Sequence, residues 1–271
     1  MLADSHVHLD APAFDADRTQ VLQRAREAGV LQMVIPAVDA ASWSRIRNLC
    51  ATQPHALFPA YGLHPVYLHR HAPGDVDALS SWCASNRATA IGEIGLDFHL
   101  PGLDPELQRV FFARQLALAG ELDLPVIVHA RQALEEAILT LRRHPGVRGV
   151  VHSFSGSEEQ ARKLWKLGFL IGIGGPVTYD RAQRLRRIVA GMPLEYLLLE
   201  SDAPDQPGTN HRGRRNEPAH VADVLHCVAA LRGEAAHAVA AVTAANTRHL
   251  FRLPDPENGR PAARHLHRSV D

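Results

Sequence analysis

Short apolar runs alternate with longer amphipathic stretches along almost the whole chain. Eight runs have the length and β-branched character of strands: the run that leads into 4–9, then 30–38, 56–65, 89–97, 125–130, 149–154, 169–175 and 196–202. Stretches with helical spacing lie among and after them, including 15–29, 105–122, 133–144, 157–168, 181–191, 218–233 and 234–251. This alternation is typical of parallel strands joined by helices.

Eight strand and helix rounds within about 250 residues predict a single closed (β/α)8 barrel, the TIM barrel, over residues 1–253. A doubly wound open sheet is the structural alternative, but no GxGxxG motif follows the first strand. Residues 254–271 are rich in Pro, Arg and His and carry few residues to bury, so we expect a disordered tail there.

Composition narrows the class of protein. No apolar run approaches the about 18–20 residues that a bilayer span requires, and no export signal is evident, so we expect a cytoplasmic protein without a membrane partner. Acidic and basic residues balance at 29 each, so any anion binding must come from a local patch. Cys50, Cys83 and Cys227 are too few and too widely spaced for a disulfide framework or a thiolate zinc site.

Ionisable residues follow the apolar runs rather than precede them. His6 and His8 are separated by one residue, so in an extended strand both would project to the same face. The full set is His6 and His8 after the first run, His64 after the third, Glu93 in the fourth, His129 and His152 in the fifth and sixth, and Glu200 and Asp202 in the eighth. A TIM barrel gathers such residues at the carboxyl ends of its strands.

So many imidazoles and carboxylates in one place need a cation to compensate them. Six ligands exceed what one catalytic ion takes, so we expect two divalent ions, for which Mg²⁺, Mn²⁺ and Zn²⁺ are candidates. His6, His8 and Asp202 are assigned to one ion, His129 and His152 to the other, and Glu93 is the expected bridge.

A carbamylated lysine joins the two metals in many barrel hydrolases that begin with the motif HxH. The only lysines here, Lys163 and Lys166, fall in a predicted helix after the sixth strand, away from the strand ends. The sequence therefore argues against a lysine bridge.

Seven motifs, in order, resemble the TatD-type metal-dependent deoxyribonucleases, a branch of the metal-dependent amidohydrolase-like barrels, and within it the YjjV-like hydrolases. The motifs are DSHVHLD, AYGLHP, AIGEIGLDF, PVIVHAR, VHSFSG, IGIGG and LLLESDAPD, and the resemblance runs from about residue 4 to residue 251. The resemblance implies a (β/α)8 hydrolase that acts on DNA, often as a 3′-exonuclease, and sometimes on RNA. The metal positions that it implies are the six assigned above. Ser153 and Ser201 depart from the Cys and Thr that are usual in the family.

The expected reaction is phosphodiester hydrolysis by a water that two metal ions activate. Asp202 is the candidate base, which would pass a proton to the leaving 3′-oxygen. Glu200 is expected to bind a metal or its water, to act as a second base, or to orient a histidine. His64 is expected to donate to the scissile phosphate, the alternative being that it merely ends its strand.

Phosphate recognition requires fixed donors. Arg131 lies two residues after a candidate ligand on the same strand face, and Ser155 lies in SFSG just before a helix. Arg214 and Arg215 belong to the Arg-rich segment 211–218, which we expect to cover the pocket. DNA or RNA ends are the expected partners, and no obligate protein partner is inferred.

Two other functions fit part of the pattern. An amidase, lactonase or deaminase would use the same metal ligands on a carbon centre, but would not need the arginines. A binding protein on a relict barrel would have no reason to keep every ligand.

Overall fold

The computed structural model describes residues 1–72 and 74–256. Eight strands form one parallel sheet in chain order: β1 Leu2–Asp4, β2 Val30–Pro36, β3 Leu57–Tyr61, β4 Ala90–Asp97, β5 Val126–Arg131, β6 Gly149–Val151, β7 Phe169–Ile173 and β8 Leu197–Leu199. Each strand pairs in parallel with the next. This sequential order confirms the predicted (β/α)8 barrel over the doubly wound sheet.

Helices follow the strands around the outside. They are α1 Arg18–Glu27, α2 Trp43–Thr52, α3 Asp75–Ser85, α4 Pro105–Glu121, α5 Leu134–Arg142, α6 Glu158–Lys166, α7 Gln183–Gly191, α8 Val221–Arg232 and α9 Ala236–Phe251. Local sequence sets several of their ends: Asp104 caps α4, Ser157 and Gln160 form a capping box on α6, and Gly233 ends α8 with φ of 65°. No described helix has the length and apolar character needed to cross a bilayer.

Hydrogen bonds close the barrel where β1 meets β8. Ser5 N donates to Leu199 O at 3.0 Å. The buried Asp4 carboxylate accepts from Ser201 N at 2.9 Å and from Ser201 Oγ at 2.6 Å. Burial outweighs these bonds and raises the pKa of Asp4 to about 7. The closure fixes the two segments that carry His6 and Asp202, because Asp202 N donates to His6 O at 2.9 Å.

The inside of the barrel is apolar beneath the strand ends. Ile127, Val150 and Leu198 belong to one buried cluster, and each lies two residues before an ionisable residue of the same strand or its extension. Since residues i and i+2 share a face, the ionisable side chains point into the barrel above this apolar floor.

The end of α9 packs onto the same cluster through Leu250, Phe251 and Leu253. Gln32 Nε2 donates to Pro254 O at 2.8 Å, so the packed chain extends to Pro254, one residue beyond the predicted boundary at 253. The predicted disordered tail, 254–271, lies largely outside the described residues, which end at 256.

Candidate metal centre and active-site cavity

The six predicted metal ligands meet at the carboxyl end of the barrel. Except for His6, which is fully buried beneath them, they line a cavity of about 1000 Å³: the lining members are His8, Glu93, His129, His152 and Asp202. Lys163 and Lys166 lie on α6, and Lys163 pairs with Glu135 and Glu159. Neither lysine lines the cavity, and this placement agrees with the argument against a lysine bridge.

One oxygen of the buried Glu93 carboxylate faces the HxH pair. Glu93 Oε2 lies 3.3 Å from His6 Nε2 and 3.4 Å from His8 Nε2. These two nitrogens are 3.2 Å apart. Asp202 Oδ1 lies 3.4 Å from His6 Nε2 and 3.7 Å from His8 Nε2. Four ligand-type atoms therefore converge on this side.

The other oxygen of Glu93 faces three further rings. Glu93 Oε1 lies 3.0 Å from His64 Nε2, 3.0 Å from His129 Nδ1 and 2.8 Å from His152 Nε2. His152 lies between the two sides, since its ring also stacks on that of His6 with centroids 3.9 Å apart. Glu93 thus connects two sets of imidazoles, as expected for a bridging carboxylate.

These nitrogen and oxygen atoms are arranged better for binding a divalent cation than for hydrogen bonding to one another. His129 Nε2 bonds to Asp97 Oδ2 at 2.9 Å, so in the neutral ring the lone pair of Nδ1 points at Glu93 Oε1. Two acceptors at 3.0 Å repel unless a proton or a cation lies between them. Imidazole nitrogen and carboxylate oxygen are suitable ligands for Zn²⁺ and Mn²⁺, and for Mg²⁺ with more oxygen. The residues present fit the ions that the sequence predicts.

The pKa shifts of the cluster also indicate that positive charge is favourable next to Glu93. Burial alone would raise the pKa of the Glu93 carboxyl, but the rings of His64, His152 and His6 hold it well below its usual value. Burial lowers the pKa of His6. Burial also acts to lower the pKa of His152, but the carboxylates of Glu93, Asp202 and Glu200 together raise it to about 10. Without an ion the cluster would have to hold protons in the positions that divalent cations can take.

His64 is a donor rather than a ligand in this geometry. Val66 N donates to His64 Nδ1 at 3.1 Å, so the proton of the neutral ring is on Nε2. That Nε2 lies 3.0 Å from Glu93 Oε1. His64 therefore does more than end its strand, because it brings an N–H group to the floor of the cavity.

Asp97 is a site residue that the sequence analysis missed. It ends β4 on the same strand as Glu93, and its buried carboxylate accepts from His129 Nε2 and from His99 N and Leu100 N. Burial would raise the pKa of Asp97, but these hydrogen bonds outweigh burial and lower it to about 2. The rule applied to the other strands, an ionisable residue at the carboxyl end, would also have selected Asp97.

Glu200 lies behind the cluster and is fully buried. Its carboxylate accepts from Ser153 N and, at 3.4 Å, from Ser5 Oγ, while His152 Nδ1 is 3.9 Å away. Burial raises the pKa of Glu200 to about 8. A Cβ at Gly172 would lie 2.1 Å from Glu200 Oε2, so the carboxyl group packs directly against β7. This placement favours a positioning role near His152 over metal binding or a second base.

The predicted phosphate-binding residues divide into two groups. Arg131 and Ser155 line the cavity, whereas Arg214 and Arg215 do not. Arg215 instead forms ion pairs with Asp17 at 2.7 Å and Glu217 at 2.8 Å. The expectation that the Arg-rich segment 211–218 brings these two cations over the pocket is therefore wrong: Arg215 ties that segment to α1.

Three other arginines line the cavity and were missed, of which Arg45 is already held in an ion pair. The other two, Arg181 just before α7 and Arg184 in its first turn, are exposed, and Arg184 Nη2 donates to Ser155 O at 2.8 Å. Their sequence signal was weak, because an arginine-rich helix normally presents a solvated face. With Arg131 they place three cations on the β5 to β7 side of the mouth.

The chain is similar to known proteins over nearly its whole length. The family model described as TatD related DNase matches residues 3–252. The uncharacterized metal-dependent hydrolase YjjV of Escherichia coli K12 is 41% identical over 256 residues, which cover 93% of this chain and 98% of that protein. The 3′-5′ ssDNA/RNA exonuclease TatD of Erwinia tasmaniensis is 37% identical, over 92% and 99% of the two chains. The crystal structure of E. coli YjjV superposes with a TM-score of 0.88 at 39% identity, over 93% and 98%.

Proposed function

Since this chain belongs to the TatD-related DNase family of metal-dependent hydrolases, we propose that it hydrolyses phosphodiester bonds in DNA or RNA and removes nucleotides from the 3′ end. One observation carries the proposal. The two oxygens of buried Glu93 face separate sets of imidazoles on the floor of an open cavity whose rim carries arginines.

Two divalent ions, Mg²⁺, Mn²⁺ or Zn²⁺, are the proposed cofactors. His6, His8 and Asp202 would hold one, His129 and His152 the other, with Glu93 between them. When bound, such ions lower the pKa of water toward neutrality and offset the charge that develops on the phosphoryl group.

The chain's own residues would then move the protons. Asp202 is buried, which raises the pKa of its carboxyl and makes it a stronger base for the attacking water. The same carboxyl can return the proton to the leaving 3′-oxygen. His64, with its proton on Nε2 facing Glu93 Oε1, can share this one donor with a non-bridging phosphoryl oxygen. Asp97 holds the ring of His129 in one tautomer.

The rim favours a polyanionic substrate. Arg131, Arg181 and Arg184 stand on one side of the mouth, where Ser155 adds a hydroxyl group. A phosphate chain would meet these cations in a cavity of about 1000 Å³, which is larger than one nucleotide needs. A neutral ester, lactone or amide gains nothing from them, so the arginines favour the nuclease over hydrolysis at a carbon centre.

A substrate panel tests this function. Purified protein is assayed with 3′-labelled and 5′-labelled single-stranded DNA and RNA and with a set of esters, lactones and amides, each with Mg²⁺, Mn²⁺ or Zn²⁺ and with chelator. We expect metal-dependent release of mononucleotides from the 3′ end, and loss of this activity in Glu93→Ala. Turnover of a lactone or amide, with no release of nucleotides, would replace the proposed function with the carbon-centre alternative.

A further inference from the structure

Gln206 connects the Asp202 carboxylate to a neighbouring loop. Gln206 Nε2 donates to Asp202 Oδ2, while Gln206 Oε1 accepts from Ser153 Oγ at 2.9 Å. All three side chains line the cavity. The other oxygen, Asp202 Oδ1, is the one that faces His6 and His8. The sequence analysis singled out neither Gln206 nor the Ser153 hydroxyl as a partner of Asp202.

The direction of the Gln206 amide follows from charge. In the opposite orientation its carbonyl oxygen would face the Asp202 carboxylate, and two acceptors would be in contact. The observed orientation gives Asp202 an N–H donor and leaves the carbonyl for the Ser153 hydroxyl. Ser153 therefore reinforces the orientation in which Gln206 stabilises an ionised Asp202.

The three residues joined by these hydrogen bonds also share an unusual backbone conformation. Ser153, Asp202 and Gln206 have φ of 47°, 54° and 49°, in the left-handed region that residues other than glycine rarely adopt. Buried Asn216 holds the loop there, since its Nδ2 donates to Ser201 O at 2.7 Å and to Asp205 O at 2.9 Å. Such conformations persist where the surroundings enforce them, and here they coincide with all three members of one hydrogen-bonded chain.

We propose that Gln206, oriented by Ser153, is a positioning residue that fixes the Asp202 carboxylate so that only Oδ1 is offered to a divalent ion. A free carboxylate can rotate and present either oxygen or both. Gln206 occupies Oδ2, so Asp202 reaches the ion with one oxygen and in one orientation. This inference rests on the proposed function, because it takes Asp202 as an ion ligand.

Metal affinity is the direct readout. Metal-free protein is titrated with Mn²⁺ in a calorimeter, and the binding event that Asp202→Asn weakens is followed in the other variants. Gln206→Met keeps the side-chain length and removes both hydrogen bonds. We expect Mn²⁺ to bind Gln206→Met about 10- to 100-fold more weakly than the wild type, as for other residues that orient a ligand. The kcat on single-stranded DNA should also fall, with KM within twofold.

Gln23→Met is the matched control. Gln23 Nε2 donates to Glu27 Oε1 at 2.9 Å on the exposed face of α1, so this variant also removes a glutamine-to-carboxylate hydrogen bond, but outside the cavity. Its Mn²⁺ affinity should equal that of the wild type.

Ser153→Ala provides a second variant in case Gln206→Met does not fold. It should weaken Mn²⁺ binding by a smaller factor, and Ser153→Ala/Gln206→Met should bind no more weakly than Gln206→Met, because the serine acts through the glutamine. Additive effects of the two changes would overturn the orienting role of Ser153.

Failure of this inference is distinguishable from failure of the proposed function. If Asp202→Asn weakens Mn²⁺ binding while Gln206→Met and Ser153→Ala bind as the wild type does, Gln206 has no positioning role and the proposed ligands stand. If Asp202→Asn itself binds Mn²⁺ normally, the ligand assignment and this inference both fail.

Discussion

Asp97→Asn should place the proton of His129 on the wrong nitrogen. Asp97 Oδ1 accepts from His99 N and Leu100 N, so the carbonyl oxygen of an asparagine would take that place. Its NH2 group would then face His129 Nε2, which now donates to Asp97 Oδ2. To avoid two opposed donors the ring must move its proton to Nδ1, the atom that faces Glu93.

The magnitude follows from the bond that is lost. A hydrogen bond to a charged group contributes about 1.5–3 kcal/mol. At about 1.4 kcal/mol per factor of ten, its loss corresponds to a roughly 10- to 150-fold weakening of metal binding. The proton now on Nδ1 also blocks the atom that would contact an ion, so the larger end of this range is expected, with a parallel loss of kcat.

Calorimetric titration with Mn²⁺ and single-turnover cleavage of DNA would measure both effects. Asp104→Asn is the matched control, since Asp104 Oδ1 also accepts two backbone N–H groups, from Glu106 and Leu107, but touches no histidine. Metal affinity and kcat of Asp97→Asn within twofold of those of Asp104→Asn would show that the tautomer of His129 is not set by Asp97.

Three further predictions concern the arginines at the cavity mouth, the loop after β8 and the stability of the fold in acid. Arg131→Ala should raise KM for DNA and lessen the slope of log affinity against log salt by about 1, while Arg214→Ala, outside the cavity, should leave the slope unchanged; binding titrations between low and moderate salt check this. Asn216→Ala removes the hydrogen bonds by which this buried side chain holds the loop after β8, so Tm should fall by about 5–10 °C in a thermal melt. The hydrogen bond from Arg215 lowers the pKa of Asp17 to about 2, below its unfolded value of 3.8. The stability that Asp17 contributes is therefore present above about pH 4 and lost between about pH 4 and 2, so urea midpoints of Asp17→Asn should fall less over that interval than those of the wild type.

The fold and the cluster of candidate metal ligands could be predicted because both follow from simple periodicities. Each apolar run became a strand, and the carboxyl end of a parallel strand points to one known rim of a barrel. His6, His129 and Asp202 could therefore be brought together without any knowledge of their distances. The strand predicted over 196–202 is longer than β8, which ends at Leu199, before Glu200 and Asp202.

The residues around the ligands were harder to predict, because their roles depend on side-chain direction. Gln206 lies in a loop after β8, where its left-handed backbone and the Ser153 hydroxyl direct the amide at Asp202. Arg215 was misplaced for another reason. A cationic segment next to a site suggests phosphate binding, but Glu217 of the same segment and the distant Asp17 pair with this arginine instead. Partners far apart in sequence, such as Arg215 and Asp17, leave no local pattern.

The bonds between Asp4 and Ser201 join positions 197 residues apart in sequence. During translation, the segment with His6 and His8 leaves the ribosome long before the one with Asp202. A nascent polypeptide without β8 has an open barrel and lacks Asp202, the last candidate acidic ligand. The proposed active site is therefore completed late, when the eighth strand docks, and on the proposed function no amino-terminal fragment that ends before β8 should degrade nucleic acid.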